Sequence, residues 1–333
     1  MSQFRTRRRR SSQRFGVRFA GPINLALVTV IVVLEVAGLF GIVEPPTRRS
    51  SPALPSIPGL GSPATDVQAA DPASIPTPAT TRESIGRLEG DLTAMVAPSG
   101  ARVGIALIDL GGRNPQTWSL NGDMSLPAAS TYKLPALMYN AQKISGGSYR
   151  ASDKICFHSS ESEAGWYADY SPGKCYTRQA LGQRVGLYSD NTGGHMLVDD
   201  LGGPASLNAY ASSLGATRSA FFYPNTTTAL DLAHLWQSEA RGRAGGAAAQ
   251  RWLYPLLTRT AFEQGMPAGV PKGTSVVHKV GWLGDTTNDC GLVLNGPHGA
   301  YVLAVTTNGL TGNNGWPLIA RISARVWRYE QSR

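Results

Sequence analysis

Ser130 and Lys133 stand three residues apart in the stretch Pro127-Ala-Ala-Ser-Thr-Tyr-Lys-Leu-Pro-Ala-Leu137, at the start of an apolar run with helical spacing. On a helix, positions i and i+3 share a face, so this hydroxyl and this amine can meet. A serine becomes a nucleophile when a neighbouring base takes its proton, and a desolvated lysine is such a base. The start of a helix also leaves backbone N–H groups without partners, and these can hold an oxyanion. Taken alone, an S-x-x-K triplet reads equally well as the capped start of an amphipathic core helix. Partners must come from elsewhere in the chain.

The elements that would position this pair follow from periodicity. Glu83 to Val96 carries Ile85, Leu88, Leu92 and Val96 at helical spacing. Arg102–Leu110 reads as a buried strand, Gly111-Gly112 as a turn, and Gln116–Leu120 as the returning strand of a hairpin. Asn121-Gly122 turns again and delivers the chain to Ser130. The helix carrying Ser130 is expected to run to about Ile144, stopped by Gly146-Gly147, with Pro135 as a local kink. A mainly helical middle follows, with helix-like pieces beginning at Thr177 and around 204–214, 228–240 and 247–257. After Gly273 the pattern returns to strands at 275–282, 290–294 and 300–306, and an amphipathic helix closes the chain from Trp316 to Tyr329. Cys156 and Cys175 flank a loop that holds Glu161, Glu163, Trp166, Tyr167 and Tyr170. In an extracellular setting these cysteines are well placed to pair, and the loop aromatics could wall a cleft. Cys290, in an apolar strand, reads as a buried free thiol.

Charge is unevenly placed along the 333 residues. The net charge is +9, but residues 1–50 hold nine Arg, no Lys and two Glu, which leaves +2 for the rest. The basic pI therefore does not argue for nucleic acid as a partner. Residues 1–21 read as a basic cytoplasmic tail. Residues 22–43 form an apolar run, broken by Asn24, Thr29 and Glu35, of the length of one membrane-spanning helix. Positive charge before it predicts a cytoplasmic N-terminus and an uncleaved anchor, with the remainder outside the cell. Residues 44–82 include nine of the 22 Pro and read as an extended spacer. The folded domain is expected over 83–333.

Two further segments complete the polar set. Ser189-Asp-Asn191 follows a helical piece, and Lys279-Val-Gly281 lies in a strand. With Ser130-Thr-Tyr-Lys133, their order and spacing resemble the penicillin-recognising serine enzymes, most closely the class A β-lactamases, which are marked by S-x-x-K, S-D-N and K-S/T-G in this order. The resemblance covers roughly residues 83–330. It implies an α+β fold: a three-layer α/β sandwich with a mostly antiparallel sheet flanked by helices and an inserted all-α subdomain. It also implies catalytic roles for Ser130 (acylated nucleophile), Lys133 (base), Ser189 (proton shuttle to the leaving nitrogen) and Lys279 (positive charge near the substrate carboxylate). Asn191 would bind the substrate amide, Asp190 would buttress the turn, and the Ser130 and Trp282 N–H groups beside Gly281 would form an oxyanion hole.

Three departures limit what the resemblance implies. The stretch Gly215–Asn225 holds no Asp or Glu, where class A enzymes carry the glutamate that activates water for deacylation. Val280 stands where a hydroxyl is usual, and no Lys or Arg occurs from Val280 to Ala320. Acylation is therefore expected and fast hydrolysis of β-lactams is not. Glu161 or Glu163 could supply a base from the stapled loop, but both read better as solvated loop carboxylates, and His195 and His234 read as packed or surface residues. His278 is expected on the strand face opposite Lys279. No His/Cys cluster has metal-ligand spacing, and no cofactor is expected. The expected function is a membrane-anchored, extracytoplasmic serine hydrolase acting on β-lactams or related amides. The alternatives are a peptidoglycan-directed DD-peptidase or transpeptidase and a non-catalytic cell-wall-binding module.

Overall fold

The computed structural model of the chain describes residues 83–333, apart from 113–114 and 312–313. The tail expected at 1–21, the membrane span at 22–43 and the spacer at 44–82 lie outside the described residues. Among the described residues no helix is long and apolar enough to cross a membrane.

Strands from the two ends of the domain meet in one sheet. β1 (Arg102–Asp109) pairs with β2 (Thr117–Leu120) on one side and with β9 (Tyr301–Asn308) on the other. β8 (Thr286–Val293) and β7 (Val276–Leu283) extend it, giving the order β2-β1-β9-β8-β7 with every pairing antiparallel. β1 is apolar without alternation because both of its faces are covered. Val103, Ile105 and Leu107 point to one face, against Leu88 and Leu92 of α1 (Ile85–Val96) and Ile319, Ile322 and Val326 of α8 (Gly315–Ser332). Ala106 and Ile108 point to the other, toward α6 (Ala229–Ala240) with Leu232 and Trp236.

The all-α region is inserted between β2 and β7. Its centre is α2 (Lys133–Ser145), buried through Lys133–Met138 and again at Asn140 and Ala141, so it is apolar nearly all round, as a core helix must be. Around it pack α3 (Arg178–Tyr188), α4 (Asn191–Asp200), α5 (Gly203–Ser213) and α7 (Gly246–Leu253). Two short ladders brace the region. β3 (Leu126–Pro127) pairs with β6 (Thr226–Thr227), and β4 (Lys154–Cys156) pairs with β5 (Cys175–Thr177). A disulfide joins Cys156 to Cys175 across the second ladder and closes the loop between them. Cys290 is free and buried on β8.

Two local expectations are corrected. Ser130 is not on an α-helix: Ala129–Tyr132 is a 3₁₀ turn, and the α-helix begins at Lys133. Pro135 therefore falls in the first helical turn, where an N–H would have no intrahelical partner, and it needs no kink. Glu161 is not solvated. It is buried, with its carboxylate accepting from the His158 N–H at 2.6 Å.

Candidate active site

Three corners of the fold converge on Ser130. The 3₁₀ turn presents its hydroxyl one turn before Lys133. The Ser189-Asp190-Asn191 segment is the corner between α3 and α4: Ser189 ends α3 in the left-handed region with φ 57, and Asp190 caps α4 by accepting from the Gly193 N–H at 2.8 Å. The same carboxylate oxygen accepts from the Tyr170 hydroxyl at 2.7 Å, so Asp190 holds the corner rather than facing substrate. The third corner is the outer edge strand, β7. Gly281 brings it so close to the turn that a Cβ there would lie 2.9 Å from the Ser130 N, 2.8 Å from the Thr131 N and 2.8 Å from the Ala128 O. Only glycine permits this approach.

Lys133 is completely buried at the meeting point. Its Nζ lies 3.0 Å from Ser130 Oγ, 2.6 Å from Ser189 O and 2.6 Å from Asn191 Oδ1. Burial first, and then the positive charge of Lys279, hold this amine well below the ordinary lysine range, against the opposing pull of Asp190 and Glu163. A neutral amine has two N–H groups and one lone pair. The two N–H groups match the two carbonyl oxygens, and the lone pair is left for the Ser130 hydroxyl proton. Lys279 donates to Ser189 Oγ at 2.9 Å and to Val280 O at 2.8 Å. Its burial lowers it to about 7, while Cys290 and Asp289 pull the other way. Ser189 Oγ is thus within 3.4 Å of the Lys133 nitrogen and 2.9 Å of the Lys279 nitrogen, a path along which a proton can move.

The cleft above this set has a volume of about 610 Å³ and is lined by Ser130, Ser189, Asn191 and Trp282 among others. Ser130, Lys133, Ser189, Asn191, Lys279, Gly281 and Trp282 are therefore brought together. His278 is turned away, bonded to Asp289 at 2.8 Å and Glu263 at 3.1 Å. Of the loop aromatics, Trp166 lines the cleft, whereas Tyr167 packs edge-on against Tyr188. Phe262 lies between Trp166 (5.9 Å) and Trp282 (4.5 Å) and extends the aromatic wall.

Several cleft residues carried no readable signal. Six non-glycine residues among those described have positive φ, and four of them line this cleft: Ala129, Ser189, Phe222 and Asn225. Such strain persists only where the surroundings impose it, and it gathers at functional sites. Asn225 straps the turn before Ser130, accepting from the Ala128 N–H at 2.8 Å and donating to Ala129 O at 3.1 Å. Glu163 and His195 line the cleft as well: Glu163 is exposed, as read, and His195 packs against Phe222, and it is their shared place in the cleft that the sequence does not show. His195 had one signal, since it falls one helical turn after Asn191 and so shares its face.

Residues 87–329 match the model of a family described as the beta-lactamase enzyme family. The chain is 26% identical over 247 residues to beta-lactamase CTX-M-6 of Salmonella typhimurium, covering 68% of this chain and 82% of that one. Beta-lactamase Toho-1 of Escherichia coli matches to the same extent. Among solved structures, a mutant of PBP-A in acyl-enzyme complex with penicillin-G superposes with a TM-score of 0.69 at 25% identity, over 74% of this chain and 97% of that one. The beta-lactamase from Sphaerobacter thermophilus superposes with a TM-score of 0.66 at 23% identity, over 74% of this chain and 98% of that one, which speaks to the fold.

Proposed function

The chain belongs to the beta-lactamase enzyme family, and on that premise we propose that Ser130 is acylated by β-lactams or related amides. Lys133 takes the Ser130 proton as the oxygen attacks the amide carbonyl. The proton passes by way of Ser189 to the leaving nitrogen, and the Ser130 and Trp282 N–H groups hold the oxyanion. Asn191 binds the substrate amide, and Lys279 faces its carboxylate. The observation that carries this reading is the 3.0 Å approach of Lys133 Nζ to Ser130 Oγ, made by a buried lysine held below its ordinary range.

Deacylation is slow in this reading, because residues 215–225 offer no carboxylate to activate water. The Arg-rich residues 1–21 and apolar residues 22–43 support a single-pass anchor with a cytoplasmic N-terminus. The Cys156–Cys175 disulfide supports an oxidising compartment outside the membrane.

The carboxylate-free stretch also favours a second reading, a DD-peptidase or transpeptidase acting on peptidoglycan peptides. Turnover of a D-alanyl-D-alanine peptide without hydrolysis of nitrocefin selects it; hydrolysis of nitrocefin alone selects the first.

A further inference from the structure

Glu163 and His195 face each other in the cleft above Ser130, and the acylation scheme leaves both unused. His195 Nε2 lies 2.9 Å from Glu163 Oε1. Among the residues lining the cleft, Glu163 is the one carboxylate and His195 the one imidazole. Their positions are fixed. The Glu163 N–H and C=O both bond the Thr192 hydroxyl at 3.0 Å, and Asn191 Nδ2 donates to Ala164 O at 2.9 Å, so the stapled loop is tied to the helix that carries His195. The His195 ring packs edge-on against Phe222 at 4.5 Å, and Phe222 meets the Tyr132 ring at 5.2 Å.

The Tyr132 side chain is buried and its hydroxyl has no hydrogen-bond partner among the described residues, although the residue lines the cleft. That hydroxyl abuts Gly194, next to His195 in the chain: a Cβ on Gly194 would come within 2.8 Å of it. Burial, and then the negative charges of Glu163 and Asp190, keep it protonated.

We propose that Glu163 and His195 form the base that hydrolyses acyl-Ser130. The proposal rests on acylation of Ser130 as argued above and concerns only the step after it. With Nε2–H donating to Glu163, the His195 Nδ1 lone pair takes a proton from water. The water oxygen bonds to the ester carbonyl carbon. Collapse breaks the bond from that carbon to Ser130 Oγ, the proton carried by the imidazole passes to Oγ, and the acyl group leaves as a carboxylic acid. Glu163 fixes the tautomer and balances the imidazolium charge. This pair supplies the residual deacylation that residues 215–225 do not.

The competing account is a partly exposed ion pair that does nothing beyond local packing. Full-length protein is labelled with a penicillin-type probe, and label formation and label loss are followed separately by intact mass. In Glu163→Gln, which keeps the backbone bonds to Thr192, and in His195→Gln, label forms at close to the wild-type rate. Label loss slows by roughly 10²-fold, the worth of a positioned base. Added imidazole restores part of the loss in His195→Gly. Label loss unchanged in both glutamine variants overturns the proposal, as does failure of both to take label while the wild type does. A wild type with no label at Ser130 overturns instead the acylation reading on which it rests.

Discussion

Lys133 Nζ stands 3.0 Å from Ser130 Oγ, and that distance is set by a 3₁₀ turn passing into an α-helix between the two residues. The lysine reaches this position only by being buried beside a second lysine, and both circumstances favour its uncharged form. Lys133→Ala is therefore expected to lower the rate of probe acylation by about 10²- to 10⁴-fold while the protein stays folded. Lys133→Arg is expected to be as inactive, because a guanidinium keeps its proton. Stopped-flow labelling of each purified variant checks both.

The second lysine gives the site a pH dependence. Burial lowers Lys279 to about 7, so its charge is present below that pH and lost above it. No other Lys or Arg occurs from Val280 to Ala320 to take its place. Acylation by a probe bearing a carboxylate is expected to slow as pH rises through about 7, whereas an esterified probe shows a flatter profile. Acylation rate constants for the two probes across this range are the measurement.

Much of this site was legible because its polar residues are close in sequence within each motif. Ser130 and Lys133 needed one helical turn, and Ser189 and Asn191 needed one helix–helix corner. The sheet was legible too, since two covered faces leave a continuous apolar run such as Val103–Ile108. The 3₁₀ form of the turn was not legible, because it depends on β7 pressing against it at Gly281 and on Asn225 strapping it. The strain at Phe222 and the contact between Glu163 and His195 were hidden for the same reason. Both are imposed by contacts between segments far apart in the chain, which local propensity does not encode.

Behind Lys279, His278 is sealed between Asp289 and Glu263. Burial alone would lower it, but the charge of Asp289 and the hydrogen bonds to both carboxylates outweigh burial and raise it to about 9. A group raised on folding stabilises fully below its unfolded value, about 6.5, and loses that contribution as pH rises through its folded value. The loss is on the order of 3 kcal/mol across that window. Glu239, at about 7, and Glu330, at about 8, are also raised by burial and act with the same sign. Urea unfolding of wild type beside Glu263→Gln isolates the histidine: the variant is expected to lose less stability between about pH 6.5 and 9.

The disulfide bears on both stability and the cleft. Cys156 and Cys175 close a loop that carries Glu163 and Trp166, with 19 residues of sequence separation. Replacing both by serine is expected to lower stability by about 3 kcal/mol through the entropy regained by the unfolded chain. It should also blunt substrate discrimination by freeing the wall of the cleft. Denaturant titration reads the first effect, and comparison of probes with large and small side chains reads the second.

The central claim is that Ser130 is an acyl acceptor. Its most direct test is peptide mapping by mass spectrometry after the full-length protein has been exposed to penicillin. The account predicts one covalent adduct, on Ser130, absent from Ser130→Ala and greatly slowed in Lys133→Ala. Folded wild-type protein that takes no adduct at high penicillin concentration, or takes it on another residue, would contradict it.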